Sequence, residues 1–219
     1  MPKKTKYTRE TVIEAGLEQL KEFGWEGITP KLVAKKLGAS TMPIFSHFAT
    51  MDELKEAILD RAWEILTEYA LKTYTGAPWV DHAIGYIFFA KDHGLLFNCM
   101  NYGKPEDVHK RRYAFWLSVY KELGEDYPAF KGMNAELVGW IRIVRAQLSH
   151  GIATALSSGT APAWSNEDVV KQMMSLCSEI ICKGFSEREE EVIKASANLT
   201  PELRKKISFM SLTGLSKKT

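Results

Sequence analysis

The side chains able to do chemistry in this chain suit binding better than bond-breaking. The sequence contains no HExxH, no CxxC pair, no GxSxG and no glycine-rich phosphate loop. Its five histidines are scattered, and His82 and His93 are not at a metal-ligand spacing. Cys177 and Cys182 are five residues apart, about 140° around a helix, which suits neither a shared metal nor a disulfide. Cys99 is open to two readings, a redox sensor or a buried, inert thiol. No catalytic residue, cofactor or metal site is expected. The remaining chemistry lies in "GASTMPIFSHF", Gly38 to Phe48. The hydroxyls of Ser40, Thr41 and Ser46 can donate or accept hydrogen bonds, whereas Met42 offers only apolar contact.

These side chains need elements to position them, and the spacing of apolar residues predicts helices throughout. Thr8 is a candidate N-cap, and Val12, Ile13, Gly16, Leu17, Leu20 and Phe23 then share a face. Gly24 is the expected stop. Glu10, Glu14, Glu18, Glu22 and Glu26 are spaced four apart and form a spiralling acidic stripe, read as a solvated outer face. Thr29-Pro30 is an N-cap followed by proline at the first helical position. The helix "PKLVAKKL" is expected to bury Leu32, Val33 and Leu37 and to expose Lys31, Lys35 and Lys36. Gly38 ends it, and Ser40 is expected to cap a third helix that tolerates Pro43 in its first turn. Thr50 with Glu53 is a capping-box pair for a fourth helix running to about Tyr74. Further helices are expected over 79–94, 105–123, 133–157, 166–185 and from Pro201 to about Met210. "SEREEE" reads as a charged patch and the tail as frayed.

Three short helices joined by tight turns have the layout of a helix-turn-helix, whose second helix can enter a major groove. The segment "TPKLVAKKLGASTMPIFSHFATMDELKEAIL" also resembles the DNA-binding segment of the TetR family of transcriptional regulators. The matching features are Thr29, Val33-Ala34, Gly38, Ser40, the "IFSHF" aromatic end and the acidic-Leu start of the fourth helix. "FGWEGIT" resembles the junction between the family's first two helices. The likeness covers about Thr8 to Leu59.

The resemblance implies an all-α homodimer. Residues 1–50 would form the DNA-binding domain (motif about 29–48) and 51–219 a larger helical bundle for ligand binding and dimerisation. It implies a palindromic double-stranded DNA operator, an unknown small-molecule effector, and repression relieved when the effector binds. Thr41, Met42 and Pro43 would face base edges, with Thr29, Ser40, Phe45, Ser46 and His47 beside them. Two positions depart from the family. Phe45 stands where many members have a phosphate-touching tyrosine, and Met51 where a lysine is usual. Grip on phosphate would then fall to Lys31, Lys35 or Lys36, Lys55, Arg9 and the Lys3, Lys4, Lys6 cluster. That cluster is either a DNA-tracking arm or a solubilising tail. His47 is either a phosphate contact or a structural residue. A ligand-binding protein that has lost DNA binding is the alternative kept open by Phe45 and Met51.

Trp63 to Trp140 is rich in aromatics, most of them core. Polar groups among them mark a cavity that could orient a ligand. Tyr86, Phe89, His93, Asn98, Tyr113, Trp116, Trp140, Arg145 and His150 are the candidates, with His82, Arg142 and Gln147 also considered. Arg142, Arg145 and His150 would need partners or an anionic ligand if buried; exposed, they would be an ordinary solvated face. Dimerisation is expected through 133–157 and 166–185, using Leu137, Val138, Ile141, Val144, Leu148, Ile152, Val169, Met173, Leu176, Ile180 and Ile181.

Composition sets the remaining bounds. The 219 residues are 45% hydrophobic with a net charge of +2, so charge alone does not announce a nucleic-acid binder. No apolar run reaches the ~20 residues of a membrane span, and the basic start lacks the apolar stretch of a secretory signal. Three cysteines in a chain of this size suit a reducing cytoplasm.

Overall fold

A computed structural model describes residues 7–101, 105–122 and 128–209. Among them the protein is all-helical, with eleven α-helices and no strand. In order they are α1 (Arg9–Phe23), α2 (Pro30–Leu37), α3 (Met42–His47), α4 (Met51–Ala70), α5 (Pro78–Asp92) and α6 (Gly94–Met100). There follow α7 (Pro105–Glu122), α8 (Ala135–Ser157), α9 (Glu167–Glu187), α10 (Glu189–Ser196) and α11 (Pro201–Phe209). The tail beyond Phe209 and the Lys3, Lys4, Lys6 cluster lie outside the described residues.

Local signals start most of these helices. Thr8 caps α1 in a reciprocal pair with Thr11. Thr29 caps α2 through the Leu32 N–H, with Pro30 in the first turn. Thr50 accepts from the Glu53 N–H at 3.1 Å, but the Glu53 carboxylate returns to the Ala49 N–H rather than to Thr50 itself. Asn134 and Asn166 cap α8 and α9.

Several boundaries differ from expectation. α4 ends at Ala70, not Tyr74, because the chain turns so that the Tyr74 hydroxyl donates to the Tyr69 carbonyl at 3.0 Å. Asp81 then fixes the following loop by accepting from Thr75 and Gly76. The helix expected over 79–94 breaks at His93, and α6 follows it. All of the "SEREEE" patch but Arg188 is helical: Ser186 and Glu187 end α9, and Glu189, Glu190 and Glu191 form the first turn of α10, where acidic side chains favour the positive end of the helix dipole.

α5 lies at the centre, with every residue from Trp79 to Ala90 buried. It packs against α4, α8 and α9. Gly85 sets how closely α4 approaches. A Cβ built there would sit 2.6 Å from the Tyr69 carbonyl carbon and 2.7 Å from the Ala70 Cα. At the other end, α11 lies on α8 over Gly139, where a Cβ would come within 2.8 Å of the Ile207 carbonyl carbon. Arg204 of α11 pins this contact by donating to both Glu136 oxygens, at 3.0 and 2.8 Å, and Ser196 donates to the same carboxylate. Trp140 Nε1–H donates to Ser196 at 3.1 Å. Trp140 is thereby a structural residue of this cluster.

Candidate nucleic-acid interface and ligand cavity

The turn after α2 is built from backbone chemistry. Gly38 sits in the left-handed region (φ 66°), and Ala39 N–H reaches Ala34 O at 3.0 Å while Gly38 N–H reaches Lys35 O at 3.1 Å. That pair is the Schellman closure glycine favours. The cap expected at Ser40 is absent. The N-cap position falls on Thr41, and no side chain fills it. The reason is Pro43: it has no N–H to offer a cap, and the next donor, Ile44 N–H, goes to the Thr41 carbonyl at 3.1 Å.

α3 divides by face. Ile44 and Phe48 are buried in the core. Thr41, Met42, Phe45 and Ser46 are exposed, Met42 to 74%, and Pro43 is half-buried. The Ser46 hydroxyl donates to the Pro43 carbonyl at 2.8 Å. His47 Nε2 donates to the Tyr7 carbonyl at 3.0 Å, and Tyr7 OH donates to the Gly38 carbonyl at 3.2 Å. His47 thereby ties the segment before α1 across the turn. Ser40 is exposed beside it.

Charge around this face is one-sided. No acidic residue occurs between Glu26 and Asp52. Lys31 and Lys35 are exposed four residues apart on α2. Lys36 turns back instead to Glu18 and Glu22 of α1, at 3.0 and 2.8 Å, and these carboxylates hold its ammonium above its ordinary pKa. Lys55 pairs with Asp52 at 3.2 Å. The acidic stripe of α1 is not simply solvated: Arg61 of α4 draws Glu14, Glu64 and Glu68 together at 2.9 to 3.2 Å. Two apolar expectations fail here. Leu32 is exposed on α2, and Phe23 is 59% exposed at the end of α1. Each lies at the edge of its helix's apolar stripe, where periodicity does not say whether a neighbour covers it.

A cavity of about 420 Å³ opens between α7, α8 and α11. From α7 come His109, Arg112, Tyr113 and Trp116; from α8, Ile143, Ala146, Gln147 and His150. Leu199, Leu203, Lys206 and Ile207 close it from the C-terminal side. Its volume falls in the ~300–1,000 Å³ range of small-molecule sites. Of the sequence candidates, Tyr113, Trp116 and His150 line it, as does Gln147. Tyr86 lies directly beneath, fully buried, stacked on Trp116 at 5.1 Å and hydrogen-bonded to His150 Nδ1 at 3.0 Å.

The other candidates do not line it. Phe89 is core against Tyr69. His93 meets the Tyr69 hydroxyl at 3.3 Å. Asn98 is exposed and accepts from Ser157 at 2.8 Å. Arg145 is fully buried 4.0 Å over the Trp79 ring and donates to Tyr120 OH at 3.3 Å. Arg142 is buried beside Tyr120 and Phe130. The two arginines are thus not a solvated face, and aromatic rings supply part of their compensation. Buried near them, His82 is pushed down to about 3, by desolvation first and the two positive neighbours second. Cys99 is buried and its thiol is raised by burial, the inert reading of the two.

The fold is similar to the solved structure of a protein with unknown function from Rhodococcus sp. RHA1, at a TM-score of 0.57 and 18% identity, covering 84% of this chain and 98% of that chain. At that identity the likeness concerns the fold alone. No protein-family model matches the chain. No curated protein matches it either.

His109, Arg112 and Lys206 were missed as cavity residues by sequence reasoning. The first two had a signal: His109, Arg112, Tyr113 and Trp116 fall at i, i+3, i+4 and i+7, one face of α7. The walls from α11 had none, because they come from a helix some ninety residues further along.

No described helix is long and apolar enough to cross a membrane. Among the described residues, no three His, Cys, Asp or Glu side chains cluster as metal ligands would.

Proposed function

We propose that this protein is a DNA-binding regulator of transcription of the TetR type, a homodimer that represses from a near-palindromic operator and is released by a small-molecule ligand. The observation carrying this reading is the division of α3. Ile44 and Phe48 anchor it, while Thr41, Met42, Phe45 and Ser46 stay exposed next to an acid-free stretch with Lys31 and Lys35. Such a face suits thymine methyls and groove shape more than guanines.

Dimerisation is assigned to α8 and α9. Val169, Met173, Leu176 and Ile180 form an exposed apolar stripe on α9. Val144, Leu148, Gly151 and Ala155 repeat the spacing on α8, half-buried or exposed. Gly151 and Gly184 have nothing within 4 Å of an added Cβ, so nothing within one chain requires glycine there. Close approach of a second copy supplies a reason. Leu137, Val138, Ile141 and Ile152, expected at this interface, are instead core.

A route for release also exists. Arg112 of the cavity donates to Asn101 at the end of α6. Two residues back, the Cys99 carbonyl accepts from Trp25 Nε1–H of the segment between α1 and α2 at 3.3 Å. A ligand that re-engages Arg112 would bias α6, and with it the front helices, toward a spacing that fits the operator poorly.

Fluorescence anisotropy with a labelled duplex tests the interface. The wild-type protein is expected to bind with strong salt dependence, and the Lys31→Ala/Lys35→Ala variant to show a log–log salt slope smaller by about 2. Absence of duplex binding at low salt would instead favour the second reading, a ligand-binding protein without DNA binding. That reading draws on Phe45, which has no hydroxyl for phosphate, and on Met51, which packs against the core.

A further inference from the structure

We infer that the cavity between α7, α8 and α11 selects an amphipathic carboxylate: one anionic head on an apolar chain or ring. The inference rests on reading this cavity as the effector site. Its described lining contains no Asp or Glu. Adjacent arginines show the contrast. Arg111 turns to Glu56 and Asp60 of α4 and is compensated there. Arg112 lines the cavity, and its hydrogen-bond partners are neutral, the Asn101 amide oxygen and the Tyr86 hydroxyl. The Arg112 Nε–H is buried with no acceptor.

A buried guanidinium donor without an acceptor is costly. A carboxylate suits the guanidinium that lines the cavity, because its fork presents parallel N–H groups to two oxygens. The other basic groups of the lining are placed differently. Burial, with Arg112 as a second cause, pushes His150 down to about 4, so it is neutral at pH 7. Lys206 lies 3.7 Å from Glu202 on its own helix. Of the two permanent cations in the lining, Arg112 is the less exposed. Trp116, Tyr113, Ile143 and Leu203 provide apolar walls for the rest of the ligand.

The test is calorimetric titration of the full-length protein with decanoate, decanol and decylamine, which share a chain and differ in head group. Decanoate is expected to bind roughly tenfold or more tighter than either neighbour, the worth of one charge-assisted hydrogen bond. Arg112→Gln should abolish the preference while decanol binding persists, and Arg111→Gln should leave the preference intact. Should Arg112→Gln fail to fold by circular dichroism, Arg112→Lys keeps the charge without the fork and should retain only part of the preference. Equal binding of all three, tighter binding of decylamine, or no binding of any overturns the anion selectivity. A duplex-release assay run in parallel separates the two claims. Decanoate binding that leaves duplex affinity unchanged supports the ligand class and overturns the effector reading of the cavity.

Discussion

Gly85→Ala is expected to cost about 3 kcal/mol of unfolding free energy, as overpacking against unyielding neighbours does. Ordinarily this substitution in a helix interior stabilises by up to about 1 kcal/mol. Here the added methyl meets backbone, not the end of a flexible side chain. Its neighbours are the Tyr69 carbonyl and the Ala70 Cα. α4 and α5 would have to separate, and the sealed contacts around them would open. These include the Tyr69–Phe89 edge contact at 5.6 Å and the Tyr74–Phe88 contact at 5.1 Å. Denaturant unfolding at matched protomer concentration checks it. A midpoint indistinguishable from wild type would mean that α4 and α5 do not approach as described.

The second large effect concerns assembly. Met173→Asp/Ile180→Asp should convert a dimer into a 24.8 kDa monomer, read by light scattering. The fold should survive, because these side chains are 40% and 59% exposed in the single chain. Operator affinity should fall by roughly 10²–10⁴-fold, because the second reading head is no longer delivered at high effective concentration. A wild-type protein that is already monomeric at micromolar concentration would remove the dimer from the proposal.

What the sequence made legible was local. Thr29-Pro30, Gly38 and the Ile44/Phe48 pair act through their own backbone and nearest turn, so their types and spacing sufficed. The break at His93 was not legible, since Gly94 is tolerated inside a helix and no proline marks the stop. The Ser40 cap failed for a reason present in the sequence, the missing N–H of Pro43. The cavity was half legible. Tyr113, Trp116 and His150 were found by composition, whereas Arg112 was passed over within the run "HKRRY", where adjacent arginines turn to opposite partners. Arg142 and Arg145 were equally ambiguous, because the aromatic rings that surround them come from α5, α7 and the turn at Phe130. Side chains assembled from distant elements leave no spacing to read.

The central claim is that α3 reads duplex DNA as one of a symmetric pair. Selection of bound fragments from a random duplex pool at low salt, with the full-length protein, tests it most directly. The expected result is enrichment of a near-palindrome. Its half-sites should be separated by about one helical turn or a multiple of it, and thymine should predominate where Met42 meets the groove. Recovery of no enriched sequence, or of a single half-site without symmetry, would contradict it.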